Sequence, residues 1–117
     1  FRELKQVFWT RIENRHGGGI PDLYGVYSGF SFWLECKTII KQNRINISPL
    51  QISWNYKNFQ ENPNNFYIVQ APRRKIIKLY DGNKGRELLE NGFEYPCSLE
   101  FEPRSYHLLL DFLTAKK

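Results

Sequence analysis

The stretch from Gly19 to Lys37, GIPDLYGVYSGFSFWLECK, decides the fold of this chain because it has the pattern of a β-hairpin. Ser28-Gly29 is a typical tight turn between two runs of strand-forming residues, which we predict to span about 22–27 and 30–37. Successive side chains of a strand point to opposite faces. One face of the second strand is therefore wholly apolar and belongs in a core, with Phe30, Phe32, Leu34 and Cys36. The other face carries Ser31, Trp33, Glu35 and Lys37.

A helix is predicted before the hairpin, and a second helix is predicted after it, beyond a loop. Residues 1–15 place Val7, Phe8 and Ile12 at the spacing of a helix stripe, with Glu13 near its end. Residues 39–47 are polar and basic and are expected to form a mobile loop or an extension of the hairpin. A second helix begins with Ser48 as N-cap and Pro49 at its first position, and it runs to about Glu61.

The C-terminal half adds two strands and two helices to the prediction. Strands are expected over 66–71 and 76–80, with a charged turn over 73–75 between them, and a short helix over 84–91. Residues 93–102 are predicted to be irregular, and a last helix over 105–115 has Ser105 as N-cap. Without the short helix over 84–91, the order is α-β-β-α-β-β-α. This order predicts an α/β fold with a mixed central sheet flanked by helices.

Length and composition restrict the class of protein. The 117 residues suffice for one compact domain, and 41% of them are apolar. No apolar run approaches the roughly 20 residues of a membrane helix. The net charge of +5 favours an anionic partner, with nucleic acid first and an anionic membrane surface second. Cys36 and Cys97 have no metal-site spacing, which indicates a reducing, intracellular setting, while a disulfide between them stays open.

The polar face of the hairpin indicates metal-dependent chemistry. Asp22 and Glu35 occupy adjacent strand positions, and two neighbouring carboxylates repel each other unless a cation lies between them. Their oxygens, with the backbone carbonyl of Cys36, suit Mg²⁺, with Mn²⁺ as a substitute. Lys37 lies on the same face and could orient a water or stabilise developing charge. Glu13 is a third carboxylate that could face the metal, so the pattern predicts metal-assisted phosphodiester hydrolysis.

These residues resemble the signature of the PD-(D/E)xK nucleases. Pro21-Asp22, a spacer and Glu35-Cys36-Lys37 match that signature, with Glu13 upstream and Ser48-Pro49-Leu50-Gln51 downstream. The set is similar to that of the small Holliday-junction resolvases of archaea and viruses and of the VRR-type nuclease domains. The resemblance covers residues 12–71, and residues 72–117 are unassigned within the same single domain.

The resemblance implies a restriction-endonuclease-like fold and a set of site residues. Asp22 and Glu35 would be metal ligands, Lys37 the catalytic lysine and Gln51 the helix residue that supports the site, while Glu13 would complete the acidic set. It also implies a Mg²⁺-dependent homodimer that cuts branched DNA, above all four-way junctions. A structural alternative is a cluster of surface ion pairs at the end of an edge hairpin.

Other residues are weaker candidates for contact with DNA. A phosphate-tracking surface would use basic residues, although each of them alone is more typical of a solvated charge. The candidates are Arg11, Arg15, Lys41, Arg44, Lys57, Arg73 and Arg74. Three aromatic residues are candidates for stacking on bases, with packing in the core as the alternative. They are Tyr24, Trp33 and Trp54.

Two other functions stay open at this level. One is a VRR-like nuclease that cuts flaps or nicks duplexes, and the other is a non-catalytic DNA-binding module with the same fold. RNA is a further substrate to be considered. The abundance of Asn, Ile, Lys, Tyr and Phe is typical of an AT-rich genome, including a viral one, so a DNA-associated location in the cytoplasm of a prokaryotic host is expected.

Overall fold

A computed structural model describes residues 7–12, 22–39 and 41–115 of the chain. Within these ranges six strands form one sheet in sequence order. The strands are β1 (Phe8–Arg11), β2 (Leu23–Tyr27), β3 (Phe30–Thr38), β4 (Asn65–Ala71), β5 (Ile76–Asp81) and β6 (Leu99–Phe101). The helices are α1 (Pro49–Glu61), α2 (Gly85–Asn91) and α3 (His107–Thr114). The predicted α/β class, with a mixed central sheet and flanking helices, is confirmed.

The hairpin at the start of the sheet forms as the sequence predicts. Ser28 and Gly29 both have positive φ, 51° and 77°, which is the requirement of the two-residue turns that match the twist of paired strands. Tyr27 consequently pairs with Phe30, and the register continues to Leu23 opposite Leu34. This register fixes which side chains of β2 and β3 share a face.

The sheet is mixed because one connection crosses over it. β3 and β4 are parallel neighbours joined through α1, whereas every other neighbouring pair in the sheet is antiparallel. Ser48 and Pro49 begin α1 as predicted, and the helix ends at Glu61 with Asn62 as C-cap. No helix in the described part of the chain is both long enough and apolar enough to cross a membrane.

Two separate cores lie on the two faces of the sheet, and the central strand β4 contributes to both. Phe66 and Ile68 belong to the first core, which includes Leu109 and Leu113 of α3. Tyr67 and Val69 belong to the second core, which α2 and the segment before α1 complete. Helices therefore cover both faces, and this leaves the strand ends and the surface of α1 available for a site.

The predicted N-terminal helix over residues 1–15 is wrong within the described residues, because Phe8–Arg11 is a strand paired with β2. Val7 and Trp9 face the first core, while Phe8 between them is 72% exposed, so the apolar pattern has a period of two rather than 3.6. Aromatic and β-branched residues in succession favour such a strand. The remainder of the predicted helix, with Glu13 and Arg15, lies outside the described residues.

Three further predictions need correction. Residues 99–101 form β6 instead of irregular structure; a strand of three residues is too short for its alternation to be recognised. Ser105 does not cap the last helix, because it belongs to a 3₁₀ turn that begins at Pro103, and α3 begins only at His107. The loop after β3 is not simply a mobile segment, because Ile45 and Ile47 are buried in the second core.

Candidate active site

Asp22 and Glu35 come together because the register of the hairpin places them opposite each other. Leu23 pairs with Leu34 and Tyr24 with Trp33, so one step further along the same ladder Asp22 meets Glu35. Side chains directly opposite in an antiparallel pair share a face and lie close together. The backbone N–H of Cys36 donates to Oδ2 of Asp22 at 3.1 Å, which fixes the carboxylate of Asp22 against β3.

Gln51 joins this hairpin to the first turn of α1. Its Oε1 accepts hydrogen bonds from Nζ of Lys37 at 2.8 Å and from the backbone N–H of Ser48 at 3.1 Å. Its Nε2 donates to Oε2 of Glu35 at 3.3 Å. Ser48 and Gln51 also form a capping box, since the Ser48 hydroxyl accepts from the backbone N–H of Gln51. One side chain therefore caps the helix and orients the lysine and the glutamate.

Glu35 is the most strongly perturbed carboxyl group of the site. Its side chain is 1% exposed, and burial is the main reason that its pKa is raised to about 8. Repulsion from Asp22 raises the pKa further, while Lys37, whose Nζ lies 3.9 Å from Oε2 of Glu35, lowers it. Oε1 of Glu35 is buried without a hydrogen-bond partner. The site thus holds a buried carboxyl group that lacks sufficient positive charge.

Cys36 contributes its backbone rather than its thiol. The N–H and C=O of a residue in a strand point to the same side, so the Cys36 carbonyl is on the side of Asp22, where its N–H donates. Burial raises the pKa of the thiol to about 12, which makes it a poor nucleophile and metal ligand. Cys36 packs against the first core and Cys97 against the second, and both are free thiols, so the disulfide left open by the sequence does not form.

The donors present fit a hard divalent cation. Mg²⁺ characteristically takes one or two carboxylates and keeps several waters, and Asp22, Glu35 and the Cys36 carbonyl provide that set. The orphaned oxygen of Glu35 is an additional sign that a positive charge is missing. Over residues 7–12, 22–39 and 41–115 no three His, Cys, Asp or Glu side chains lie together as a metal cluster. Glu13, the predicted third carboxylate, is outside these ranges.

Four of the basic candidates gather at one end of the sheet. Lys41 and Arg44 follow β3, and Arg73 and Arg74 follow β4, whose parallel direction brings both turns to the same edge. The two turns touch, since Nη1 of Arg74 donates to Oδ1 of Asn43 at 3.4 Å. All four side chains are exposed, although Arg74 also forms an ion pair with Glu94 at 2.9 Å. This edge lies just beyond Lys37 of β3.

The other basic candidates lie elsewhere. Arg11 is opposite Leu23, which packs against the first core, so Arg11 is on the face of the sheet that does not carry Asp22 and Glu35. Lys57 is exposed on α1 and lines a groove of about 700 Å³ between α1 and α2. Neither residue is brought next to the carboxylates. Arg15 is outside the described residues.

The role of Gln51 as a helix cap is the feature that the sequence interpretation missed. Ser48 was recognised as an N-cap and Gln51 as a residue that supports the site, but the two were not connected. The signal was present, because Ser followed three residues later by Gln is the pattern of a capping box. The link explains physically why a Ser-Pro-x-Gln motif accompanies the carboxylates and the lysine.

The chain was compared with family models, curated proteins and solved structures. No family model matches the chain, and no curated protein matches it. Among solved structures, the chain is similar to a bacterial homing endonuclease with a TM-score of 0.43 and 13% sequence identity. The alignment covers 98% of this chain and 85% of that one. A likeness this distant concerns the arrangement of strands and helices and leaves the chemistry to be argued from the site itself.

Proposed function

We propose that this protein is a metal-dependent endodeoxyribonuclease of the PD-(D/E)xK type. The observation that carries the proposal is that Asp22, Glu35 and Lys37 lie together on one face of a hairpin. Gln51 is hydrogen-bonded to both Glu35 and Lys37. A cluster of surface ion pairs would not need a buried glutamate or an amide shared between a lysine and a glutamate. The alternative of a non-catalytic DNA-binding module also leaves the raised pKa of Glu35 without a purpose.

Each residue of the site would have a distinct role. Asp22, Glu35 and the Cys36 carbonyl would hold Mg²⁺, which when bound supplies a Lewis acid for phosphodiester hydrolysis. Lys37, held by Gln51 and 17% exposed, would place its ammonium beside the substrate phosphate and stabilise the negative charge that develops there. Gln51 holds Nζ of Lys37 in place at 2.8 Å, and Nζ then lies 3.9 Å from Oε2 of Glu35. Glu13 remains a proposed additional ligand.

DNA is the proposed substrate, and the basic edge of the sheet is its proposed track. Lys41, Arg44 and Arg73 are exposed there without an ion pair among the described residues, and they would contact the phosphates on that side of the cut. The preference for four-way junctions and the homodimer that would cut them symmetrically rest on the resemblance to the resolvases. A two-fold dimer would suit two symmetric cuts.

The first test is cleavage of DNA by the Lys37→Ala variant. Removing one preorganised positive group from the reacting phosphate should lower the cleavage rate by about 10²- to 10³-fold. Rates would be measured on labelled junction, flap and linear duplex with Mg²⁺ and with EDTA. Asp22→Asn should be equally impaired, because it removes a proposed ligand.

The matched control is Arg104→Ala, which also removes one positive charge but lies in the exposed turn before α3. It should cut at the rate of the parent. Unchanged cleavage by Lys37→Ala, or cleavage by the parent in EDTA, would contradict the proposed function. The three substrates separate a junction resolvase from a flap or nicking nuclease.

Metal binding should release a proton from Glu35. Because burial raises the pKa of Glu35 to about 8, the group is largely protonated at pH 6 and must ionise to act as a ligand. The apparent affinity for Mn²⁺ should therefore rise ~50-fold between pH 6 and pH 8. Calorimetry in two buffers of different ionisation enthalpy would count the proton at pH 6. An affinity that does not change with pH would show that Glu35 is not a ligand.

A further inference from the structure

Three aromatic side chains beside the site belong to neither hydrophobic core. Tyr24 of β2, Trp33 of β3 and Trp54 of α1 contact one another and are absent from both clusters of packed apolar residues. Each of them is half-buried. Large aromatic side chains bury more area than any other residues and normally anchor a core. Aromatic residues that gather outside both cores need another explanation.

The ring geometry leaves aromatic faces uncovered. The centroids of Tyr24 and Trp33 are 4.7 Å apart with the planes inclined at 53°, and those of Trp33 and Trp54 are 5.5 Å apart at 67°. Rings inclined in this way meet edge to face, so each contact covers the face of one ring at most, whereas a parallel stack would cover a face of both rings. The cluster therefore combines a fixed position with faces on which a further planar group can stack.

The aromatic cluster is adjacent to the proposed site on every element that builds that site. Tyr24 is two residues from Asp22 and Trp33 two residues from Glu35, so each pair shares a strand face about 7 Å apart. On α1, Trp54 is three residues from Gln51, which places both on one side of the helix. The same strand face continues to Phe8 of β1, which is 72% exposed.

We propose that Tyr24, Trp33 and Trp54 form a stacking platform for unpaired bases next to the scissile phosphate. This proposal rests on the proposed nuclease function, and it favours one class of substrate over the fully paired four-way junction: DNA with unpaired nucleotides at the cut, such as a flap or a splayed arm. In a continuous duplex each base is covered by its neighbours, whereas an unpaired base can stack on an aromatic side chain. Because the three rings lie next to the carboxylates, a base stacked on them would place its neighbouring phosphodiester bond at the site, and stacking would thereby select the bond that is cut.

The first experiment measures binding without cleavage. Oligo(dT) would be titrated in EDTA at one fixed salt concentration, with tryptophan emission as the signal. The Trp9→Phe variant keeps Trp33 and Trp54, and its emission should be quenched. A Trp33→Phe, Trp54→Phe double variant keeps Trp9, which packs against Phe32 on the other face of the sheet, and its emission should not change. Equal quenching in both would overturn the proposal.

The second experiment separates stacking from folding. Trp33→Leu and Trp54→Leu should each bind oligo(dT) about tenfold more weakly than the parent, because each removes a ring from the platform. Trp33→Phe should recover most of the affinity, since it restores an aromatic face. Thermal unfolding would identify a variant that fails to fold. If one of the two Leu variants fails, the affinity of the other Leu variant tests the proposal. Binding within twofold of the parent by a folded Leu variant would overturn the proposal.

Cleavage separates the failure of this proposal from the failure of the nuclease function. With Mg²⁺ the parent should cut a flap faster than a duplex of the same sequence, and Trp54→Leu should bring the two rates together. Equal rates for the parent on both substrates, without quenching by oligo(dT), would reject the platform and leave the nuclease intact. Quenching confined to Trp33 and Trp54, with no cleavage of any DNA, would support the platform and reject the nuclease.

Discussion

Replacing Glu35 by glutamine should abolish DNA cleavage and, in the same protein, make the metal-free fold more stable at pH 8. The pKa of Glu35 in the folded state, about 8, lies above its usual value in an unfolded chain. The protonated form therefore contributes stability that is fully present below about pH 4.5 and is lost as the pH rises through 8. Glutamine stays neutral throughout, so it avoids this loss.

The expected gain at pH 8 is on the order of 4 kcal/mol, because a pKa of about 8 in place of 4.5 costs about 1.36 kcal/mol for each pH unit between these two values. Urea unfolding in EDTA from pH 5 to pH 9 would measure it. The parent should lose stability over this range more steeply than Glu35→Gln. Glu102→Gln, which replaces an exposed carboxylate in the same way, should follow the parent. A common pH dependence for the parent and Glu35→Gln would contradict a buried glutamate in this site.

Substituting Gly92 by alanine should destabilise the protein by roughly 2 to 4 kcal/mol, from two separate causes. Gly92 has a φ of 75° and a ψ of −160°, a backbone region that is almost confined to glycine and costs other residues about 1 to 3 kcal/mol. In addition, a Cβ at this position would collide with the backbone carbonyl oxygen of Asn43. The same oxygen accepts a hydrogen bond from the N–H of Phe93 at 2.8 Å, so the loop cannot simply move away.

Gly29 supplies a matched control, because its φ is 77° and a Cβ there would meet no atom within 4 Å. Gly29→Ala should therefore lose only the cost of the backbone conformation, about 1 kcal/mol. The difference between the two variants in urea unfolding measures the collision with Asn43 together with the additional cost of the ψ of −160° at Gly92. Equal losses would show that the segment holding Ile45 and Ile47 in the second core adjusts without cost.

The hairpin could be predicted because its determinants are local. The turn at Ser28-Gly29 fixes the register, and the register alone brings Asp22 opposite Glu35. The start of α1 was equally predictable from Ser48 and Pro49. In these places the local residue types and spacings agree with the contacts that the rest of the chain makes, so the predicted conformation is the one observed.

The failures have non-local causes. Val7, Phe8 and Ile12 satisfy a helical spacing, whereas Val7 and Trp9 satisfy a strand spacing. The pairing of Trp9 with Gly25 decides between them. β6 forms because the chain, beyond the residues that it contributes to the second core, returns to β5. There the N–H of Ser98 donates to the carbonyl of Leu79. Nothing in residues 99–101 alone specifies that return. The gathering of basic turns beyond Lys37 likewise depends on the parallel crossover.

The capping box at Ser48 and Gln51 has a consequence for how this protein would respond to heat. The amide that closes the N-terminal end of α1 is also the group that holds Lys37 and Glu35. Helix ends fray at lower free energies than whole domains unfold. Fraying of this single turn would break the hydrogen bond that holds the ammonium group of Lys37. The proposed site would then lose its activity while the sheet and both of its cores were still folded.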